Sequence, residues 1–263
     1  MCLIAFAWDA HPDYLLALAA NRDEFHGRPT APLGGWNDLP GVAGGRDLRE
    51  GGGWLALHRG GRLAAVTNVR EPHLAPAPRS RGELVKDFVA GRDSAADYAA
   101  RICAAGDAYG PHNSLLWDGR ELVHASNRFA PPRRRIAPGV HGISNGPFDA
   151  PWPKTRRLSA VLGEWLRAQR GAAWPELAPL LEALADEQLA ADAELPQTGV
   201  GLEMERLLAP AFIRGERYGT RASSVVLIRR DGRTLLFERS FGPGKKPLGD
   251  ARLEVALTTG TAS

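Results

Sequence analysis

Three two-residue loops constrain this chain more than any other feature. Gly60-Gly61 lies between Leu55-Ala56-Leu57-His58 and Leu63-Ala64-Ala65-Val66. Asp118-Gly119 separates Ser114–Trp117 from Glu121–Ala125, and Asp231-Gly232 separates Val225–Arg230 from Thr234–Glu238. Glycine supplies the positive φ that a tight hairpin turn needs, so such dipeptides between apolar segments predict antiparallel strand pairs. Leu3–Trp8 and Tyr14–Ala20 read as a fourth pair, turned through Asp9-Ala10-His11-Pro12-Asp13. A largely antiparallel sheet content follows.

Helices are expected in two blocks. Ser80-Arg81-Gly82-Glu83 has capping-box spacing and opens the apolar periodicity Leu84, Val85, Phe88, Val89, closed by Gly91. Ser94-Ala95-Ala96-Asp97 repeats the start signal, with a stop near Gly106. The second block comprises Thr155–Arg170, with Leu158, Val161, Leu162, Trp165 and Leu166 on one face, and then Pro175–Ala191. Residues 192–201 and 241–249 read as loops. With 263 residues, 44% of them apolar, and no linker or repeat, the chain is expected to form a single domain over residues 1–263. The order of elements suits two layers of helix around packed sheets.

The net charge of +3 is spread over short clusters such as Arg133-Arg134-Arg135 and Lys245-Lys246. Nucleic-acid binders concentrate such residues on one stripe, so no nucleic-acid partner is expected. Only Cys2 and Cys103 are present, which argues against a disulfide-built secreted domain. The first apolar run is too short for a signal peptide or a membrane span. A cytoplasmic protein without membrane insertion is the expectation. The histidines show no metal-ligand spacing, so neither metal nor cofactor is expected.

Cys2 is the residue with the most chemical potential. Removal of Met1 would leave a thiol beside a free α-amine, with ordinary pKa values of about 8.5 and 7.7–8.0, so that proton transfer between them is nearly free. The alternative is a small buried residue that starts a strand. Asn21-Arg22-Asp23-Glu24 follows the second expected strand and emerges at the sheet end where Cys2 begins. An arginine there lowers a thiol's pKa and a carboxylate can hold a terminal ammonium. Arg22 pairing with Asp23 or Glu24 for structural reasons is the competing reading. Thr67-Asn68-Val69-Arg70 ends a strand, His141–Gly146 reads as a glycine-flanked turn, and Tyr218-Gly219-Thr220-Arg221 precedes one. Asparagine amides suit an oxyanion and an arginine suits an acidic group. Gly142-Ile143-Ser144-Asn145-Gly146 matches the serine-hydrolase elbow, but prolines follow where a helix is required and no histidine comes later.

The chain resembles the NRDE family, the group that includes the animal Transport and Golgi organisation proteins. The segments that carry the resemblance are Met1-Cys2-Leu3-Ile4, Asn21-Arg22-Asp23-Glu24, Gly52-Gly53-Trp54-Leu55, Thr67-Asn68-Val69-Arg70 and Ser80-Arg81-Gly82. They continue as Gly142-Ile143-Ser144-Asn145, Pro151-Trp152-Pro153-Lys154-Thr155, Tyr218-Gly219-Thr220-Arg221 and Glu238-Arg239-Ser240-Phe241. One departure is the glycine before Trp54, where relatives often carry threonine. The resemblance implies an α+β fold, a four-layer αββα sandwich of two mainly antiparallel sheets, similar to N-terminal nucleophile hydrolases. It also implies Cys2 as nucleophile against a non-peptide C–N bond, with its own α-amine as base. By the same resemblance Arg22 and Asp23 flank the thiol, Asn68 and Asn145 support the oxyanion, and Arg221 completes a polar ring. The family is implicated in haem movement and lipid metabolism. The alternative is therefore a carrier for haem or another hydrophobic ligand, with a pocket lined by Trp36, Trp54 and Trp152; core packing is the competing reading of those tryptophans.

Overall fold

The computed structural model describes residues 2–72, 76–171 and 173–258. In chain order its elements are β1 (Cys2–Trp8), β2 (Tyr14–Phe25), β3 (Thr30–Gly35), β4 (Val42–Asp47), β5 (Gly53–His58), β6 (Arg62–Asn68), α1 (Arg81–Ala90) and α2 (Ala95–Ala104). They continue with β7 (His112–Trp117), β8 (Leu122–Ser126), β9 (Arg133–Arg135), β10 (Gly139–Ile143), α3 (Pro153–Ala168), α4 (Ala178–Leu184) and α5 (Leu202–Leu207). The last strands are β11 (Tyr218–Arg229), β12 (Arg233–Phe241) and β13 (Pro247–Ala256). All three expected hairpins form, as β5–β6, β7–β8 and β11–β12, with positive φ at Gly61, Gly119 and Gly232. Among the described residues no helix is long and apolar enough to cross a membrane.

The described residues divide into two compact units, the first drawn from 2–27, 70–72 and 138–254, the second from 28–69, 76–137 and 255–258. The first holds a sheet in the order β10-β1-β2-β11-β12-β13. Leu3, Ala5, Ala7, Ala17, Ala19, Val225 and Leu227 pack there against Leu158, Leu162, Leu166 and Leu180 of α3 and α4. The alanines keep that face of the strands low, so helix side chains seat directly on it. The second unit holds the antiparallel sheet β3-β4-β5-β6-β7-β8-β9, with α1 and α2 on one face around Leu84, Val85, Phe88, Tyr98 and Ile102. The capping box at Ser80 forms as expected, Glu83 accepting from the Ser80 N–H. A Cβ on Gly52 would lie 2.4 Å from the Gly82 carbonyl carbon, which explains glycine at position 52.

Several boundaries differ from the sequence expectations. The polar run Asn21–Glu24 lies within β2, because β11 pairs with it as far as Tyr218↔Phe25. Tyr218–Arg221 accordingly belongs to β11. His141–Ile143 is the end of strand β10, paired with β1, and not a turn. The helix expected over 175–191 contracts to α4. Its last carbonyl, Leu184, accepts from the Asn21 side chain, and the Gln188 N–H that would extend it donates to the Asp186 carboxylate. Both groups needed for the next helical bond are taken. Residues 241–249, expected as loop, contain the last residue of β12 and the start of β13.

Asn21 is therefore structural. Its Nδ2 donates to the Leu184 and Ala211 carbonyls at 2.8 and 2.7 Å, and its Oδ1 accepts from Ser223 Oγ at 2.6 Å. Asn21→Ala strands three buried polar groups, and denaturant titration should show a loss of about 3 kcal/mol. Gly142 is the point where β10 meets α3, since a Cβ there would lie 2.2 Å from Thr155 Cγ2. Gly142→Ala forces the helix away from the sheet, and thermal unfolding should reveal a destabilisation of about 1–3 kcal/mol.

Candidate active site at the start of β1

Four strand ends of the first unit meet at Cys2. β1 begins there, β2 ends beside it with Cys2 opposite Arg22, and β11 enters with Thr220 opposite Asp23. β10 ends at Ile143, so Ser144 and Asn145 follow directly, and Ser144 Oγ donates to the Cys2 carbonyl at 3.1 Å. Directly opposed residues share a sheet face, which places Arg22 beside the thiol. Strand alternation puts Asn21 and Asp23 on the other, helix-covered face. The Asp23 backbone N–H nevertheless bonds the thiol.

The register breaks between Thr220 and Ala222, leaving Arg221 as an extra residue in β11. A bulge of this kind re-aims the side chain it carries. Arg221 Nη1 donates to the Phe25 and His26 carbonyls at 3.0 and 3.3 Å, and the guanidinium feels the charges of Arg22 and Glu24. Arg22 itself pairs with Glu24 at 3.8 Å, one of the two partners weighed from the sequence. Asp23 Oδ1 accepts from Thr220 Oγ1 at 2.7 Å. Asn145 is fully buried; its carbonyl accepts from the Arg70 N–H at 2.8 Å and its Oδ1 from Ser144 at 3.2 Å. The first unit thus assembles Cys2, Arg22, Asp23, Asn145 and Arg221. Asn68 is placed in the second unit, at the end of β6 opposite His112. Met1 lies outside the described residues.

Three charged residues here carry no role in the sequence reading. Arg70 forms a buried ion pair with Glu205, stacks on Trp152 with its guanidinium 5.0 Å from the ring, and donates to the Leu208 carbonyl. Glu205 uses its second oxygen for the N–H and hydroxyl of Thr198 at 2.8 and 2.6 Å. Lys154, only 3% exposed, donates to the Leu208 carbonyl at 2.9 Å. A signal for Lys154 does exist in the sequence. Leu158, Leu162 and Leu166 form a helical stripe whose previous position is 154, so a lysine occupies an apolar register. For Glu205 there is none, because α5 is short and its ion-pair partner Arg70 lies 135 residues away in sequence.

Burial raises the pKa of the Cys2 thiol; Asp23 adds to this, while Arg22 and the Asp23 N–H oppose it. Burial lowers Lys154 to about 8, against the pull of Asp23, Cys2 and Glu205 and with the help of Arg70. Tyr218 is driven up by burial and then by Asp23 and Cys2. On balance burial favours the neutral thiol, while Arg22 and the Asp23 N–H act toward the thiolate. Among the described residues no group of three histidines, cysteines or carboxylates is arranged to hold a metal. Cys103 is a free, half-buried thiol in the second unit. Trp36 and Trp54 are buried; Trp36 donates to the Gly44 carbonyl beneath the Arg46 guanidinium, and Trp152 lies against Arg70. That packing gives the carrier reading no support.

The fold is similar to that of a Caenorhabditis elegans N-acylethanolamine-hydrolyzing acid amidase ortholog, with a TM-score of 0.50 over 86% of this chain and 92% of that one, at 9% identity. The α+β class, with its two antiparallel sheets and N-terminal nucleophile hydrolase-like fold, stands as expected. In sequence, the chain is 33% identical to the Transport and Golgi organization protein 2 homologs of Bos taurus and Homo sapiens, over 92% of this chain and 93% of each relative. The Drosophila melanogaster Transport and Golgi organization protein 2 is 30% identical over 95% of both chains. The sequence pattern of the Transport and Golgi organisation 2 family matches residues 1–243, and the chain belongs to that family.

Proposed function

We propose that the protein is an N-terminal cysteine nucleophile hydrolase that cleaves a non-peptide amide bond. The observation that carries this reading is the position of Cys2 at the mouth of β1, opposite Arg22 and bonded by the Asp23 N–H. After removal of Met1 the Cys2 amine takes the thiol proton, and the sulfur attacks the substrate carbonyl carbon. The S–C bond forms, the C–N bond breaks, and the amine leaves with the proton. Water then adds to the thioester carbon, the C–S bond breaks, and a carboxylic acid departs as the thiol is restored. Asp23 holds the terminal ammonium, and Asn145 supports the developing oxyanion. The fold neighbour from Caenorhabditis elegans is named for hydrolysing an N-acylethanolamine, so N-acyl amides are the first substrates to offer.

Intact mass of the protein from its native host should be short by one methionine; a retained methionine would remove the base and the mechanism with it. On whichever N-acyl amide the protein turns over, Cys2→Ala should lower kcat about a thousandfold or more, as loss of a nucleophile does. Undiminished turnover would rule the thiol out.

A further inference from the structure

A surface helix ordinarily turns its apolar side chains inward. In α5 the reverse holds: Leu202, Met204 and Leu207 are exposed, and Glu205 is the one buried residue. Its buried contact is the ion pair with Arg70, and Thr198 occupies the other carboxylate oxygen with its N–H and hydroxyl. Stability does not account for this arrangement. A buried ion pair is often replaceable by apolar side chains without loss, and Arg70 Nε stays buried without a hydrogen-bond partner among the described residues.

Arg70 belongs to the first unit and meets the candidate site in two ways. Ile143 lies opposite Ile4, so a ladder continued by two residues would set Asn145 opposite Cys2, on the thiol's own face of the sheet. The strand stops at Ile143, and the Asn145 carbonyl instead accepts from the Arg70 N–H at 2.8 Å. The Arg70 guanidinium lies 5.0 Å from the centre of the Trp152 ring. That ring backs the residue after Asn145 so closely that a Cβ on Gly146 would lie 2.5 Å from Trp152 Cζ2. Main chain and side chain of Arg70 therefore brace the same turn.

We propose that Arg70, fixed by Glu205, is a positioning residue for Asn145 and sets where its amide meets the oxyanion. The proposal rests on Asn145 having that part in the reaction. The pair itself touches no reacting atom; it acts through the Asn145 carbonyl and the Trp152 ring.

The test is a double-mutant cycle combined with NMR of side-chain amides. On an N-acyl amide that the protein turns over, Glu205→Gln should lower kcat about tenfold or more and leave KM within about twofold, as misplacement of an aligned group does. In an Asn145→Ala background the same substitution should cost nothing further, because the group it positions is gone. Losses that multiply would overturn the proposal. The 15N side-chain amide of Asn145, assigned by its absence in Asn145→Ala, should shift in Glu205→Gln, while that of Asn113 in β7 should not. An unshifted Asn145 amide overturns the proposal whether or not any substrate is hydrolysed. A shifted amide in a protein that hydrolyses nothing supports the positioning and counts against the reaction alone. If Glu205→Gln does not fold, Arg70→Met combined with Glu205→Met removes both charges together, and the same two measurements decide.

Discussion

The pairing of β1 with β2 is the interaction on which the rest depends. β1 is buried along its whole length, so its sequence needs to be apolar and its register is tightly specified. A slip of one residue would exchange Leu3, Ala5 and Ala7 for Ile4 and Phe6 beneath the helices. The register that buries the small residues under α3 and α4 is the same one that sets Cys2 opposite Arg22. Core packing and the geometry of the candidate site are thus one constraint, and the site cannot drift without unpacking the core.

Around that frame the first unit buries an unusual amount of charge. Arg70 and Glu205 form an ion pair that leaves Arg70 Nε buried without a hydrogen-bond partner among the described residues, and the Leu208 carbonyl accepts from both Arg70 and Lys154. Charges removed from water weaken a fold unless they are paired and hydrogen-bonded. Here they belong to the end of the first sheet where β1 starts, with the Cys2 thiol and the Asp23 carboxylate on opposite faces of neighbouring strands. That concentration distinguishes this end of the sheet from the exposed ion pairs elsewhere, such as Arg239 with Asp250, which water screens.

Much of the site was legible because its members sit next to readable features. Arg22 and Asp23 adjoin a strand, and Asn145 follows a glycine-bearing segment. Cys2 needs no long-range information. The role of Asn21 was not legible, since its three partners lie in α4, in the segment before β11 and in β11 itself. The aim of Arg221 was hidden too, because a bulge is a property of two strands and not of one. β3 and β4 escaped notice because their glycines and their proline erase the alternation that marks a strand.

What the sequence determined by itself is local: hairpins where Asp-Gly or Gly-Gly permits positive φ, a helix start where a capping box closes, and membership of a family through motifs spread along nearly the whole chain. Those features depend on neighbours a few residues apart, so they survive without a tertiary frame. Strand order, the length of β2 and β11, the early stop of α4 and the burial of Lys154 were decided only by the folded structure. Each of them turns on hydrogen bonds or charges between segments that are distant in sequence, and the energy of such contacts exists only once the chain has brought them together.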